Sequence, residues 1–157
     1  MKDAMPTPRR LLLLAVFLAA LAPLLAAGPK VPVRTETFTG KVETLADAVA
    51  RNNGRLDSDA TSSLVLTTDD GKSYLLVKDA GSRLFFKDKA LLGRPMRLTG
   101  KLLADSLLQV SVVRSLVKGE VCEVYYWCDV CSIKRSEKMI CECCGGPMVL
   151  REEPVKK

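Results

Sequence analysis

Hydrophobic and polar positions follow three successive patterns along the chain, and the central one predicts strands. Over residues 34–118, runs rich in Val, Leu, Thr and Phe alternate with turn residues, which predicts a mainly β domain. Asp70-Gly71 separates two such runs, and an Asp-Gly step between strands favours a tight hairpin. Met96 and Leu98 alternate with polar residues and would share one face of a later strand.

Two short helical segments interrupt the predicted strands. Residues 44–50 and residues 82–92 carry helical patterns, and Gly93 would end the second helix. The predicted order is therefore a strand, a hairpin, a short helix and a second hairpin. A five-stranded OB barrel has this order, with its helix between strands three and four.

The segment 93–102, GRPMRLTGKL, resembles the fourth-strand signature of OB-fold proteins. In that family a Gly-x-x-Val/Met-x-Leu/Val-Thr-Gly run precedes a hairpin. The resemblance covers residues 34–118 and implies a small five-stranded OB-like barrel. OB folds often bind oligonucleotides or oligosaccharides on one face of the barrel, although a fold by itself assigns no function.

The N-terminal pattern, over residues 1–27, is typical of a targeting segment and is not expected to be part of the folded domain. Basic residues, among them Arg9 and Arg10, precede an uncharged apolar run over residues 11–27. This arrangement is typical of a secretory signal peptide, so we predict cleavage after Ala27 and an exported protein, periplasmic or extracellular. The alternative is an uncleaved membrane anchor, because the run approaches the shortest apolar length that spans a bilayer. Membrane contact is expected only through this segment.

The absence of histidine and the low content of aromatic residues exclude or disfavour several classes of function. The 157 residues include no histidine, which excludes Ser-His-Asp and Cys-His nucleophilic sites and the usual general base near neutral pH. We therefore expect a non-enzymatic binding or interaction protein. Aromatic residues make up 5% of the chain, too few for an extensive base-stacking surface, so nucleic acid is not the expected partner.

Charge and the few clustered aromatics indicate what kind of partner to expect. The formal net charge of +6 favours an acidic ligand or a protein partner, and is also consistent with solubility alone. Tyr125, Tyr126 and Trp127 are adjacent in sequence and would either form a contact patch or pack against their own domain. A proline-rich linker, residues 28–33, separates the N-terminal segment from the strands.

The third pattern is a cluster of cysteines near the C-terminus. All six cysteines lie within residues 122–144, and four of them form two Cys-x-x-Cys pairs with nine residues between the pairs. Pairs at this spacing can place four thiolates around one Zn²⁺ ion. The predicted ligands are Cys128, Cys131, Cys141 and Cys144. We assign residues 119–150 to a four-cysteine zinc ribbon and residues 151–157 to a charged tail.

The two pairs resemble the knuckles of zinc ribbons and rubredoxin-like proteins. They are also similar to a small heavy-metal-binding domain of copper-transporting ATPases and metal-efflux adaptors. This chain departs from the latter where Cys131 replaces a histidine and where both Cys-Pro steps are missing, which favours a closed zinc site. Rubredoxin-like proteins carry glycine after both knuckles, whereas here Gly145 follows the second and Ser132 follows the first, which argues against iron.

Other uses of the cysteines stay open at this point. Iron would make the protein a rubredoxin-like electron carrier, and reversibly held zinc or copper would make it a metal-handling protein. Disulfides are a further alternative, because oxidising compartments favour them. Cys122 and Cys143 fall outside the predicted ligand set and would form one disulfide or stay free as alternative ligands. Cys143 and nearby Met148 would suit a soft ion such as Cu(I).

Overall fold

A computed structural model describes residues 33–56 and 62–156. The predicted signal peptide or anchor, residues 1–27, lies outside the described residues, as does all of the predicted linker except Val33. Among the described helices, none has the length and apolar character needed to cross a membrane.

The described residues form a mainly β structure, which confirms the predicted fold class. Its eight strands are β1 (Arg34–Thr44), β2 (Leu64–Thr68), β3 (Ser73–Leu76), β4 (Pro95–Leu103), β5 (Leu107–Val117), β6 (Glu120–Cys128), β7 (Ile133–Arg135) and β8 (Val149–Pro154). The helices are α1 (Leu45–Arg51), α2 (Arg83–Lys87) and a 3-10 turn, Lys89–Leu91. The predicted order of strands and helices over residues 34–118 is therefore confirmed.

Strands β1 to β5 close into a ring, which we call the strand ring. β1 pairs antiparallel with β2 and β4, β2 pairs with β3, and β4 pairs with β5. A short parallel pairing of β3 with β5, Leu75 opposite Leu107 and Leu76 opposite Leu108, completes it. The predicted Asp-Gly hairpin joins β2 to β3, with Gly71 at a φ of 83°.

Strict alternation along β4 sends its apolar side chains into the ring. Met96, Leu98 and Gly100 are buried, whereas Arg97 is exposed and Thr99 is half-buried. The core also takes side chains from every other strand of the ring and from α2. Its members there include Val42, Leu64, Leu66, Leu76, Leu84, Phe85, Leu108 and Val110. One face of β4 thus contributes to the core and its other face is open to solvent or ligands. β2 differs, because Val65 and Leu66, on its opposite faces, are both buried.

The last three strands extend the same sheet beyond the ring. β6 pairs with β5 through residues 120–123, next to a turn at Lys118-Gly119. Further along, β6 pairs with β7 through residues 126–128 and with β8 along residues 122–127. The two parts predicted as separate modules therefore share one continuous sheet. Their division into domains stays a prediction.

Residues 151–154, which the sequence placed in a charged tail, belong to β8. This strand carries few apolar residues, so its sequence has no alternating signal, and its backbone is ordered by pairing with β6. The guanidinium of Arg94 donates to both carboxylate oxygens of Glu152, at 2.6 and 2.7 Å, which ties β8 to the chain just before β4. Both bonds come from the same nitrogen, Nη2, and they are charge-assisted, which makes them stronger than bonds between neutral groups.

A buried polar contact joins β6 to the helical segment between β3 and β4. The hydroxyl of Tyr126 donates to Asp88 Oδ2 at 2.9 Å, and both residues are buried. Asp88 Oδ1 also accepts from the backbone N–H of Ala90 at 3.1 Å and lies 3.3 Å from Lys138 Nζ. Burial raises the pKa of Tyr126, and its bond to the Asp88 carboxylate raises it further. The C-terminal strands are thus held to the ring by a satisfied network.

Candidate metal centre

The end of β6 and the start of β7 form the first cysteine knuckle. β6 ends at Cys128, the chain turns, and the backbone N–H of Ser132 donates to the Cys128 carbonyl at 2.8 Å. The second knuckle lies in the segment before β8, where the N–H of Gly145 donates to the Cys141 carbonyl, also at 2.8 Å. The two knuckles therefore close with the same bond at equivalent positions.

The residue that follows each knuckle has the same left-handed backbone. Ser132 has a φ of 55° and Gly145 has a φ of 70°. Glycine adopts this conformation freely, whereas a residue with a Cβ does so at a cost. Rubredoxin-like proteins carry glycine after both knuckles, and Ser132 in place of the first of these glycines was the sequence argument against iron. The structure shows that serine takes the same conformation, so this difference does not distinguish zinc from iron.

Backbone donors at the knuckles favour the thiolate form of the first cysteine in each pair. Hydrogen bonds from the N–H groups of Cys144 and Cys143 lower the pKa of Cys141 to about 7. The N–H of Cys131 acts in the same direction on Cys128, but burial and the thiols of Cys141 and Cys144 outweigh it, so the pKa of Cys128 is raised. Because the thiolate is the metal-binding form, these backbone donors favour the form of Cys141 that could bind a metal ion.

The structure brings all four predicted cysteines together. The Sγ atoms of Cys128, Cys131, Cys141 and Cys144 lie within 4.8 Å of one another, and Cys128 Sγ is 3.5 Å from Cys144 Sγ. A tetrahedral ion with Zn–S bonds near 2.3 Å requires sulfur atoms about 3.8 Å apart. The cluster is therefore of the right size to hold a metal ion. None of the six cysteines, all of which the structure describes, is in a disulfide.

Burial divides the four thiols into two inner and two outer ones. Cys128 and Cys141 are 1% and 2% exposed and belong to the hydrophobic core, together with Met148. Cys131 is half-buried and Cys144 is exposed. The loop that carries the second pair is closed by a bond from the Cys141 N–H to the Gly146 carbonyl at 2.8 Å. A bound ion would thus sit between the core and the surface.

The two remaining cysteines are far from each other. Cys122 lies on β6 and its Sγ approaches the Glu120 carbonyl at 3.8 Å. Six residues of strand, about 20 Å, separate it from Cys128. Cys143 is exposed, and its thiol contacts that of Cys131, whose pKa is raised chiefly by this contact and then by burial. The expectation of a Cys122–Cys143 disulfide does not fit this geometry, because a disulfide needs sulfur atoms about 2 Å apart.

The three adjacent aromatics serve two purposes, because neighbours on a strand face opposite sides. Tyr126 packs into the core, where it bonds to Asp88. Tyr125 and Trp127 share the other face in an edge-on contact with ring centroids 6.4 Å apart. The Lys134 ammonium lies 4.1 Å from the Tyr125 ring centre. Tyr125 is also buried, whereas Trp127 is half-buried, so the structure confirms packing for the two tyrosines.

Comparison of the chain with protein-family models, with curated proteins and with solved structures gives no match. What the cluster does must therefore be argued from its own geometry. Sequence reasoning found all four thiols, since their spacing is a local signal. It missed the left-handed backbone of Ser132 and the backbone donors of the knuckles, which have no signature in residue type.

We expect Ser132→Gly to stabilise the protein by about 0.5 kcal/mol, because relief of left-handed strain exceeds the extra freedom of glycine in the unfolded chain. Gly145→Ala should have the opposite effect, a loss of about 1 kcal/mol. A Cβ at position 145 would meet nothing within 4 Å, so its cost is confined to the backbone. Urea unfolding of both variants, with metal content measured on the same samples, checks this. A destabilised Ser132→Gly protein would contradict the shared knuckle geometry.

Proposed function

We propose that the protein is a small exported binding protein whose C-terminal part is held by a structural zinc site of four cysteines. The observation that carries the metal site is the convergence of four thiols within 4.8 Å of one another. Their all-sulfur donor set suits zinc in a closed, structural site. The chain has no histidine, so catalytic zinc of the His-ligated kind is not proposed.

A structural role follows from where the ion would sit. The segment between β7 and β8 has one isolated bridge, Ile140 opposite Pro147, among its described residues. Most of its side chains are exposed, with Cys141 and Met148 as the buried ones. An ion bound by Cys128 and Cys141 would join this segment to the end of β6. Binding would then supply the folding free energy that so small an apolar contact lacks.

The binding role is assigned to the strand ring, which we propose is an OB-type barrel. The supporting features are the strand order β1-β2-β3-β5-β4 around the ring, the parallel β3–β5 contact and the position of α2 between β3 and β4. Export rests on the N-terminal sequence pattern alone. The proposed cleavage would release a chain that starts near residue 28.

Metal handling is a second candidate, favoured by one specific feature of the site. Cys144 is exposed, and the exposed thiol of Cys143 contacts Cys131. A fifth thiol beside an open edge provides a route for ligand exchange, and five soft donors suit Cu(I) as well as zinc. A structural ion would resist a mild chelator in the folded protein, whereas an exchanging ion would be removed within minutes.

Elemental mass spectrometry of the purified full-length protein, with a thiol count on the same sample, tests the metal assignment. We expect about one zinc per chain and six reactive thiols after unfolding without reductant, the full cysteine content. Iron in place of zinc would favour electron transfer. Absence of metal with fewer than six thiols would mean disulfides and would refute the site.

A further inference from the structure

A concave surface lies apart from the four clustered cysteines, on the outer face of the ring. It is a groove of about 730 Å³ between the outward faces of β1, β4 and β5, the β5–β6 turn and the end of β8. Three cations line it: Arg97 from β4, Arg114 from β5 and Lys156 after β8. Glu120 is the one carboxylate among its lining residues. We call this surface the arginine groove.

The two arginines are directly opposite each other on neighbouring strands. Arg97 and Arg114 are register partners in the β4–β5 pair, so their side chains leave the sheet on the same face. Like charges in this relation destabilise a sheet. Among the ion pairs formed by residues 33–56 and 62–156, neither guanidinium has a carboxylate partner.

Among the described residues, the acids near this pair form no ion pair with either arginine. Glu123, the register partner of Arg114 on β6, has its carboxylate 2.8 Å from Lys134 Nζ. Glu120 forms no ion pair in the described part of the chain, and the groove keeps a net positive charge of three cations against one carboxylate. Two opposed arginines without carboxylate partners lower the stability of the fold. A bound anion would offset this loss of stability.

The rest of the groove indicates what kind of anion fits. The hydroxyls of Thr37 and Thr99 lie 2.8 Å apart beside the arginines and provide neutral hydrogen-bonding groups. Its other wall is apolar and consists of Val121, Pro154 and Val155. No aromatic ring is among the lining residues, so the surface offers no platform for stacked bases or sugars. Guanidinium forks match carboxylates, and an apolar wall suits the methylene groups of Glu side chains.

We propose that the arginine groove binds an acidic, Glu-rich peptide segment of a partner protein. Arg97 and Arg114 bind its carboxylates, Thr37 and Thr99 bond to its backbone or side-chain oxygens, and the apolar wall contacts its methylene groups. The proposal deepens the binding role given above and rests on that role. It does not depend on the metal.

Fluorescence anisotropy with a labelled deca-glutamate peptide and the full-length protein tests the proposal. We expect Arg97→Gln to weaken binding at least tenfold. The same substitution should raise the melting temperature by about 1–4 °C, because it removes one of two opposed like charges. Lys89→Gln is the matched control: it removes one positive charge at an exposed site in the 3-10 turn, and should leave affinity within twofold.

Several outcomes would overturn the proposal. Equal weakening by Lys89→Gln would mean attraction by net charge alone. A sulfated oligosaccharide that binds through Arg97 while deca-glutamate does not would assign the groove to a polysaccharide instead. Absence of binding by either probe would remove the groove as a ligand site. Zinc content should be unchanged in Arg97→Gln. Peptide affinity therefore tests the arginine groove, and metal content separately tests the proposed zinc site.

Discussion

Cys128→Ser is expected to abolish stoichiometric zinc binding and to destabilise the protein by about 3 kcal/mol or more. Structural zinc sites contribute folding free energy directly, on the order of 10 kcal/mol of binding in isolated zinc-finger peptides. Cys128 is 1% exposed and joins the end of β6 to the cluster. Its loss removes a predicted ligand from the buried side of the cluster. Metal analysis and urea unfolding measure the two effects.

The matched control is Cys143→Ser. It makes the same replacement of sulfur by oxygen, but at a cysteine that is next to the predicted ligand Cys144 and is not itself a predicted ligand. Cys143 contacts Cys131 but lies outside the cluster of four. It should keep about one zinc per chain and nearly unchanged stability. Cys144→Ser, one residue further, should lose the metal. If Cys143→Ser lost zinc while Cys144→Ser kept it, the ligand set would be wrong.

Hydrogen exchange locates the damage in Cys128→Ser. We expect amides of the segment between β7 and β8 to lose protection, whereas β2 and β4 in the ring keep theirs, because most members of the shared core belong to the ring and to the helical segment between β3 and β4. Simultaneous loss of protection in both parts would show that the zinc site and the ring unfold as one unit. That result would contradict the predicted boundary at residues 118/119 while leaving the metal assignment intact.

Gly100→Ala is expected to cost about 2–4 kcal/mol, the second large effect. A Cβ at Gly100 would lie 2.2 Å from the carbonyl oxygen of Gln109, an atom of the paired strand β5. Backbone cannot move aside as a side chain can, so β4 and β5 must separate locally. The register of this pair shifts between Thr99 and Gly100, so the pairing is irregular next to this glycine. Urea unfolding measures the loss.

Gly71→Ala separates this clash from the general cost of replacing glycine. Gly71 has a φ of 83°, and a Cβ there would meet nothing within 4 Å. We expect a loss of about 1 kcal/mol from backbone strain alone. Equal losses at the two positions would mean that β4 and β5 do not approach closely at Gly100.

Local features of the fold and site were readable from the sequence. The Asp70-Gly71 hairpin, the alternation of Met96 and Leu98, and the four clustered cysteines all depend on residues close together in the chain. A tight turn selects its residue types, a strand with one buried face selects alternation, and a knuckle selects its spacing. These constraints act over a few residues, so each of them is visible in the sequence of the short segment on which it acts.

Features that depend on pairing between distant residues were decided only by the tertiary structure. β8 has no strand signal of its own and is ordered by β6. The arginine groove exists because the register of β4 and β5 sets Arg97 opposite Arg114. The ring closes through two residue pairs of β3 and β5. A shift of one residue in such a pairing would reverse which side chains face the core. Composition and spacing therefore determined the turns, the strands of the ring and the cysteine pairs. The long-range register of the strands determined which side chains come into contact.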